Sequence, residues 1–318
     1  MPLSSSNNKN LDLEAKLSKK MSFLNTGDVA FTDRTNHIPE KDRYIYYDGS
    51  IITLDPVYSE VAEDGFNIFV DEKTNEELLL IYIADPTDVV DPSSELFTQI
   101  IDRGQTRHML NKQTQYLFPS SIRDDASLNS KSGNETVKKK VITVVARVEN
   151  NIPVLKEIVP GLVHVKRSHN LTYGQAVDMK DNPSIEHQLK RGLEISNAIK
   201  RKFSREVSGV IPVLNQVNSK IAEFEDMVDE LTRFANTEVC KYIKAHLPSE
   251  IIKEYSESGN KSFTRPLEYA SDCITHYYLK AIWIERSKHE YPFIGYLRHG
   301  IHTITKHLDD VATTMSKN

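Results

Sequence analysis

The sequence predicts an α+β fold whose first half is rich in β-strands and whose second half is α-helical. In the first half, short apolar runs alternate with turn residues, which is the pattern of strands. From Tyr173 onward, apolar residues recur every three or four positions, as on one face of a helix. No Pro-, Gly- or Ser-rich linker separates the halves, so one domain is expected over residues 31–318. Residues 1–30 are polar and are expected to form a disordered or weakly structured lead.

The strands are predicted from β-rich runs bounded by turn residues. The dipeptide Asp48-Gly49 lies between two such runs and predicts a hairpin. A second turn, at Asn150-Asn151, joins two long extended segments, whereas the polar stretch 120–140 predicts a loop. The predicted strand segments are 43–56, 65–71, 77–84, 140–149 and 152–166. Of these, 65–71 and 77–84 are expected to pair with each other across a turn at 72–75.

Helices are predicted where apolar residues keep helical spacing. The clearest case is a long helix that Pro248 would end, because proline cannot continue a helix. Its buried face is formed by Ile221, Phe224, Val228, Leu231 and Phe234. The predicted helices cover 93–102, 185–199, 221–247, 267–284 and 293–315.

Charge and composition argue against several classes of protein. With 40 Lys+Arg against 45 Asp+Glu, the net charge of −5 argues against binding nucleic acid by bulk charge, and no DNA partner is expected. Two cysteines cannot build a disulfide scaffold and suit a reducing compartment. There is no secretory signal and no apolar run of about 18 residues, so we expect an intracellular, cytoplasmic or organellar protein outside the membrane. A P-loop, a dinucleotide fingerprint and an HExxH motif are also absent from the sequence.

Acidic side chains follow the predicted strands at two places. The first is a cluster after residue 54, and carboxylates that converge at a strand end suit a hard cation such as Mg²⁺. A solvated acidic loop is the alternative. At the second place, Asp85 and Asp88 follow an apolar strand, and Asp85-Pro86 is either a ligand position or a turn. The first cluster consists of Asp55, Glu60, Glu63 and Asp64.

Two further groups near the C-terminus have both a functional and a structural interpretation. Late histidines could bind a metal with Asp309 or Asp310, although helical histidines are more often surface or core groups. Aromatic residues beside Lys and Arg could stack on bases, although helical spacing favours the core. The histidines are His276, His289, His299, His302 and His307. The aromatic residues are Tyr277, Tyr278, Trp283, Tyr291, Phe293 and Tyr296.

Several segments, taken in order along the chain, match a known set of motifs. The segment Leu171-Thr172-Tyr173-Gly174-Gln175-Ala176 is close to Leu-Thr-Tyr-Glu-Gln-Ala, and residues 80–87 are similar to Val-His-Ile-Ala-Asp-Val-Ser. Further pieces lie at 52–55, 103–106, 117–119, 126–128, 235–236 and 276–279, followed by Pro292, Tyr296 and His302. In this order they resemble the catalytic domain of the RNase II/RNB family of exoribonucleases, from about Phe31 to His302.

The resemblance implies an RNB fold with a buried channel that admits single-stranded RNA and hydrolysis from the 3′ end with Mg²⁺. It assigns the metal to Asp55, Glu63 and Asp64, with Asp64 also catalytic and with Glu60 and Asp85 in support. The implied RNA contacts are His108 at the position of a stacking Tyr, Tyr82 at the position of a strand His, and Tyr296. Arg298, one helical turn from the positions of the family's two phosphate-binding Arg residues, is the candidate catalytic group that would substitute for them.

The chain departs from the family at positions that matter for hydrolysis. The family's metal pattern, laid on Asp55, falls on Val61, which has no oxygen ligand, and on the longer carboxylate of Glu63. Its two phosphate-binding Arg positions fall on Ile294 and Gly295. Loss of one such electrostatic donor typically costs about 10² to 10³ in rate.

Because of these departures, the RNB fold and the hydrolytic activity are two separate predictions. One hypothesis is an RNB-like domain that acts on single-stranded RNA with reduced or lost 3′-to-5′ hydrolysis. The alternative is a catalytically inactive RNB-fold module for binding or assembly with a protein partner in a larger complex. A third interpretation is an unrelated α+β structural protein whose motif matches are coincidental.

Overall fold

The computed structural model describes residues 45–90, 94–108, 114–130, 136–202, 216–246 and 262–287. The strands of this part are β1 (Ile45–Ser50), β2 (Thr53–Asp55), β3 (Asp64–Asp71), β4 (Glu76–Ala84), β5 (Thr136–Glu149), β6 (Ile152–Lys166) and β7 (Asn170–Thr172). The helices are α1 (Glu95–Arg103), α2 (Ser120–Ala126), α3 (Tyr173–Met179), α4 (Glu186–Lys202), α5 (Gln216–His246) and α6 (Ala270–Ser287). The order confirms a β-rich first half and a helical second half.

The main sheet has five strands in the order β1-β6-β5-β4-β3. The last four strands in this order pair antiparallel, whereas β1 runs parallel to β6, with Ile45 opposite Gly161. The predicted hairpin at Asp48-Gly49 is therefore wrong, because β1 continues through both residues. The edge of the long β6 offers β1 a more extensive ladder than the three-residue β2, which pairs instead with β7.

The other predicted turns are confirmed. The strands β5 and β6 are joined at Asn150 and Asn151, whose φ angles of 53° and 67° are those of a two-residue hairpin turn. The strands β3 and β4 pair throughout their length across a turn that ends at Asn75, with φ 55°. Asparagine tolerates this left-handed region better than most residues do.

The predicted loop over 120–140 is partly wrong, because α2 occupies its start and β5 begins at Thr136. A buried lysine joins the two described parts of this segment. Lys139 on β5 donates from Nζ to the carbonyl oxygens of Asp124, at 2.8 Å, and Asp125, at 2.7 Å. These carbonyls lie in the last turn of α2, where a cation is favourable.

The helices cover the sheet on the side of Phe66. Phe66 on β3 is 3 % exposed, and it lies close to Gly192 on α4, which also faces Met227 on α5. The predicted helices at 93–102, 185–199, 221–247 and 267–284 are confirmed with shifted ends, and that at 293–315 lies outside the described residues. None of the helices in the described part combines the length and apolar character needed to cross a membrane.

A close approach at Gly65 gives a test of this packing. A Cβ atom there would lie 2.6 Å from Cδ1 of Ile51 and 2.8 Å from the backbone oxygen of Ile52. We expect Gly65→Ala to destabilise the protein by about 1–3 kcal/mol, measured by denaturant unfolding, because overpacking forces the backbone to move. Gly174→Ala is the matched control, since its nearest atom lies 3.8 Å away, and it should be neutral or slightly stabilising. Equal stability of the two variants would contradict this packing.

Candidate active site

Two strand pairings place Asp55 and Asp64. Asp55 ends β2 opposite Thr172 of β7, and Asp64 begins β3 opposite Ile83 of β4. The bridge between Ile52 and Phe66 holds the two segments together. Both carboxylates are surrounded by protein yet keep some contact with solvent, as groups in a cleft do.

Both carboxylates have pKa values raised above their ordinary range. Burial, with a further contribution from the charge of Asp64, raises the pKa of Asp55 to about 8. Burial also raises the pKa of Asp64 to about 7, even though the guanidinium of Arg265 opposes the shift, and Asp229 adds to it. The arrangement therefore concentrates negative charge where solvent is scarce, and it attracts a proton or a cation.

A tyrosine and residues from two distant segments complete the site. Tyr173 begins α3, where Thr172 caps the helix by accepting from the backbone N–H of Gln175 at 3.2 Å. The pKa of Tyr173 is raised by burial and by the charges of Asp64 and Asp55, with smaller contributions from α5. The side chains that the sequence analysis did not assign to the site are Tyr173, Glu225, Asp229 and Arg265.

The carboxylate of Glu63 serves the neighbouring loop. Its Oε1 accepts from the backbone N–H groups of Leu267, at 2.5 Å, and Glu268, at 3.2 Å. Glu63 is 7 % exposed, and its own backbone oxygen accepts from the N–H of Ala84 at 2.8 Å. Burial, with the nearby charge of Glu268, raises the pKa of Glu63 well above its usual range. One oxygen assigned by resemblance to a metal is therefore engaged in holding the loop.

The two acids that were expected to support the metal site, Glu60 and Asp85, are engaged with other partners. Glu60 is exposed, accepts from the hydroxyl of Tyr116 and lies 3.5 Å from Nη1 of Arg123. Val61 packs against the hydrophobic core. Asp85 is buried in a different group of charged residues, described next.

Asp85 forms the centre of a buried ionic network. Its Oδ2 lies 2.8 Å from Nζ of Lys280, and its Oδ1 accepts from the hydroxyl of Thr87 at 2.6 Å. His276 places Nδ1 3.4 Å from Oδ1 of Asp85 and Nε2 2.8 Å from the carbonyl oxygen of Phe263, so both ring nitrogens face acceptors. Burial would raise the pKa of Asp85, but Lys280 and His276 outweigh it and hold that pKa well below its usual range.

The residues present do not fit the multi-carboxylate metal centre that the resemblance implies. Asp55 and Asp64 meet, but Val61 offers no ligand, Glu63 binds backbone amides and Asp85 belongs to the buried network. Within the described ranges, no group of three or more His, Cys, Asp or Glu side chains is placed to hold a metal ion.

The predicted RNA contacts fall in different environments. His108 is exposed, with Nε2 3.6 Å from Oε1 of Glu268. Tyr82 is 2 % exposed and packs in the core, so its ring is not presented to a base and its position does not support an RNA contact. Arg298 and Tyr296 lie outside the described residues, as do the late histidines other than His276.

The described C-terminal aromatic residues belong mainly to the core, as their helical spacing favours. Tyr277 and Tyr278 are 2 % and 3 % exposed. The hydroxyl of Tyr277 donates to the carbonyl oxygen of Val90 at 2.8 Å, and Nε1 of Trp283 donates to that of Ile158 at 3.0 Å. These bonds tie α6 to the sheet and to the segment after β4.

Structural comparison relates the chain to several RNB-fold proteins. RNase R from Mycoplasma genitalium, solved with double-stranded RNA, matches with a TM-score of 0.66 at 13% identity, covering 95% of this chain and 68% of that one. Yeast Ssd1, a pseudonuclease, matches with a TM-score of 0.58 at 13% identity, covering 85% of this chain and 43% of Ssd1. The exoribonuclease Dss1 from Candida glabrata, solved as an active-site mutant, matches with a TM-score of 0.60 at 14% identity, covering 98% of this chain and 50% of Dss1.

At these identities the structural matches establish the fold alone, and the chain spans between 43% and 68% of the three proteins. Comparison with curated protein sequences gives no match. The model of the RNB domain family matches residues 43–270, which is most of the chain and includes Asp55, Asp64, Tyr173, Asp229 and Arg265. The chain belongs to the RNB domain family.

Proposed function

We propose that the protein is an RNB-domain module that binds single-stranded RNA and whose 3′-to-5′ hydrolysis is reduced or lost. The observation that carries the proposal is the depleted carboxylate set. Asp55 and Asp64 remain together, whereas Val61 cannot bind a metal and Glu63 is engaged by the N–H groups of Leu267 and Glu268. Without several convergent carboxylates, two ions cannot be clamped on the reacting phosphate.

The positive charge of Arg265 supports RNA binding in the absence of a metal ion. The guanidinium of Arg265 lies close enough to Asp64 to lower its pKa against the effect of burial. Arg265 is also 58 % exposed at its side chain, so it remains accessible to a phosphate group. A guanidinium can bind phosphate oxygens by paired hydrogen bonds. Binding through such a group does not require Mg²⁺.

The proposal predicts that RNA binding is independent of Mg²⁺. The fluorescence anisotropy of a labelled single-stranded RNA should rise to the same extent, at the same protein concentration, in Mg²⁺ and in EDTA. Arg265→Met should weaken this binding by about tenfold, the effect of losing one charged hydrogen-bonding group. Binding that requires Mg²⁺, or no binding at all, would overturn the proposal.

A second candidate function is a protein-binding module within a larger assembly. It is favoured by Val57 and Tyr58, which are each 84 % exposed in the loop between β2 and β3. Contiguous exposed apolar surface marks contacts with other proteins, and these two neighbouring side chains would form part of such a surface. A discrete partner captured by the wild type and lost by a Val57→Ser, Tyr58→Ser double variant would favour this function.

A further inference from the structure

Three arginines surround the segment 114–118. The backbone N–H of Arg107 donates to the carbonyl oxygen of Gln115 at 2.8 Å, and the N–H of Gln115 donates back at 3.0 Å. Arg103, at the end of α1, donates from Nη1 to the carbonyl oxygen of Tyr116. The guanidinium of Arg123 stacks on the ring of Tyr116, 3.3 Å from the ring centroid. The segment therefore contacts the guanidiniums of Arg103 and Arg123 directly, and the charge of Arg107 acts on Arg103.

The charge of Arg107 is not compensated within the described residues. Its side chain is half-buried, and its Nε is fully buried without a hydrogen-bond partner. No carboxylate of the described ranges forms an ion pair with Arg107 or Arg103, whereas Arg123 has Glu60 at 3.5 Å. Burial lowers the pKa of Arg107, and burial together with the charge of Arg107 lowers the pKa of Arg103.

Two half-buried guanidiniums that have no counter-ion among the described residues suit the binding of an anion. Desolvation of a charged donor is costly unless an acceptor satisfies it, and an oxyanion supplies that acceptor. The planar fork of arginine matches the oxygens of a phosphate group, and two such groups can bind one phosphate from two sides. A phosphate group fits this arrangement.

The position of Arg107 links it to the candidate active site. The N–H of the preceding Thr106 donates to the carbonyl oxygen of Glu268 at 2.7 Å. The carboxylate of Glu268 lies between His108, at 3.6 Å, and Arg265, at 4.0 Å. The segment that carries Arg107 thus runs beside the segment that places Arg265 near Asp64.

We propose that Arg107, supported by Arg103, binds a backbone phosphate of the RNA strand that leads to the Asp55–Asp64 site. This inference rests on the proposed RNA binding and names an additional contact for it. The contact reads the backbone and not the bases, so it should contribute equally for all sequences.

The test compares three variants of the full chain. Arg107→Met should weaken binding of a labelled single-stranded RNA by about tenfold and reduce the slope of log affinity against log salt by about 0.7, the value for one phosphate contact on a single strand. Arg107→Lys should keep that slope and recover part of the affinity, because the charge remains but the fork is lost. Arg147→Met is the matched control and should bind as the wild type does, because its guanidinium is already paired with Glu76, at 3.1 Å, and with Glu149.

The outcomes separate the subsite from the proposed function. If the wild type binds RNA and Arg107→Met binds equally well with the same salt slope, the subsite is wrong and the proposed function stands. If the wild type does not bind RNA, the proposed function is wrong. The phosphate-binding role of Arg107 is then tested by measuring whether inorganic phosphate raises the melting temperature of the protein. Stabilisation that Arg107→Met abolishes and Arg147→Met keeps would support the subsite, and stabilisation that is absent or insensitive to Arg107 would overturn it.

Discussion

Replacing Glu63 with alanine is expected to destabilise the protein by about 2–4 kcal/mol, because two backbone donors lose their acceptor in a buried place. Those donors are the N–H groups of Leu267 and Glu268, at 2.5 and 3.2 Å from Oε1. The loop that they belong to also carries Arg265. The loss is measured by denaturant unfolding, and an unchanged midpoint for Glu63→Ala would contradict this structural role.

Glu63→Gln is the matched variant, because it keeps an acceptor oxygen and removes the ionisation. A carboxyl whose folded pKa is raised contributes stability below its ordinary pKa, and that contribution is lost as the pH rises through the raised value. The wild type should therefore lose stability relative to Glu63→Gln as the pH is raised. A difference between the two proteins that does not change with pH would contradict the burial of an ionisable group at this position.

Replacing Asp85 with alanine should have the largest effect on stability, about 3–5 kcal/mol, because it removes the buried carboxylate that pairs with Lys280 and faces the ring of His276. Lys280 lies 2.8 Å from Asp85, and His276 lies 3.4 Å from it with its side chain fully buried. The control is Asp226→Ala on α5, whose partner Lys200 is 2.6 Å away on the surface. Removal of that exposed pair should cost only about 0–1 kcal/mol. The difference between the two variants therefore measures the effect of burying the ion pair.

The effect of Asp85→Ala should depend on pH in the opposite sense to that of Glu63. The pKa of Asp85 is depressed in the folded protein, so its contribution is present above the ordinary carboxyl pKa, near 4, and is lost as the pH falls through the depressed value. The stability gap between wild type and Asp85→Ala should therefore narrow in acid. A gap that stays constant, or that widens in acid, would contradict the buried network.

Local sequence signals predicted the antiparallel part of the sheet well. Asn150-Asn151 marks the β5–β6 hairpin because asparagine tolerates the positive φ that the turn requires. Asp48-Gly49 is an equally good turn signal, yet β1 passes straight through it to pair with β6. The partner of β1 lies more than a hundred residues away, and no local pattern encodes such a pairing.

The candidate active site was predictable only in part for the same reason. Asp55 and Asp64 stand near each other in sequence and are brought together. Glu63 is adjacent to Asp64, but its partner Leu267 lies 204 positions away, and only the fold shows that its carboxylate is engaged there. Asp229 and Arg265 reach the site from α5 and from the loop before α6, and no sequence motif had marked either residue.

The central claim is that this RNB domain keeps the fold and an RNA-binding surface while its hydrolysis is reduced or lost. The most direct measurement follows the length of a labelled single-stranded RNA incubated with Mg²⁺ and either the wild type or Asp64→Asn. We expect the RNA to stay intact, or to shorten only slowly, with the wild type. Rapid and complete shortening from the 3′ end that requires Mg²⁺ and that Asp64→Asn abolishes would contradict the claim.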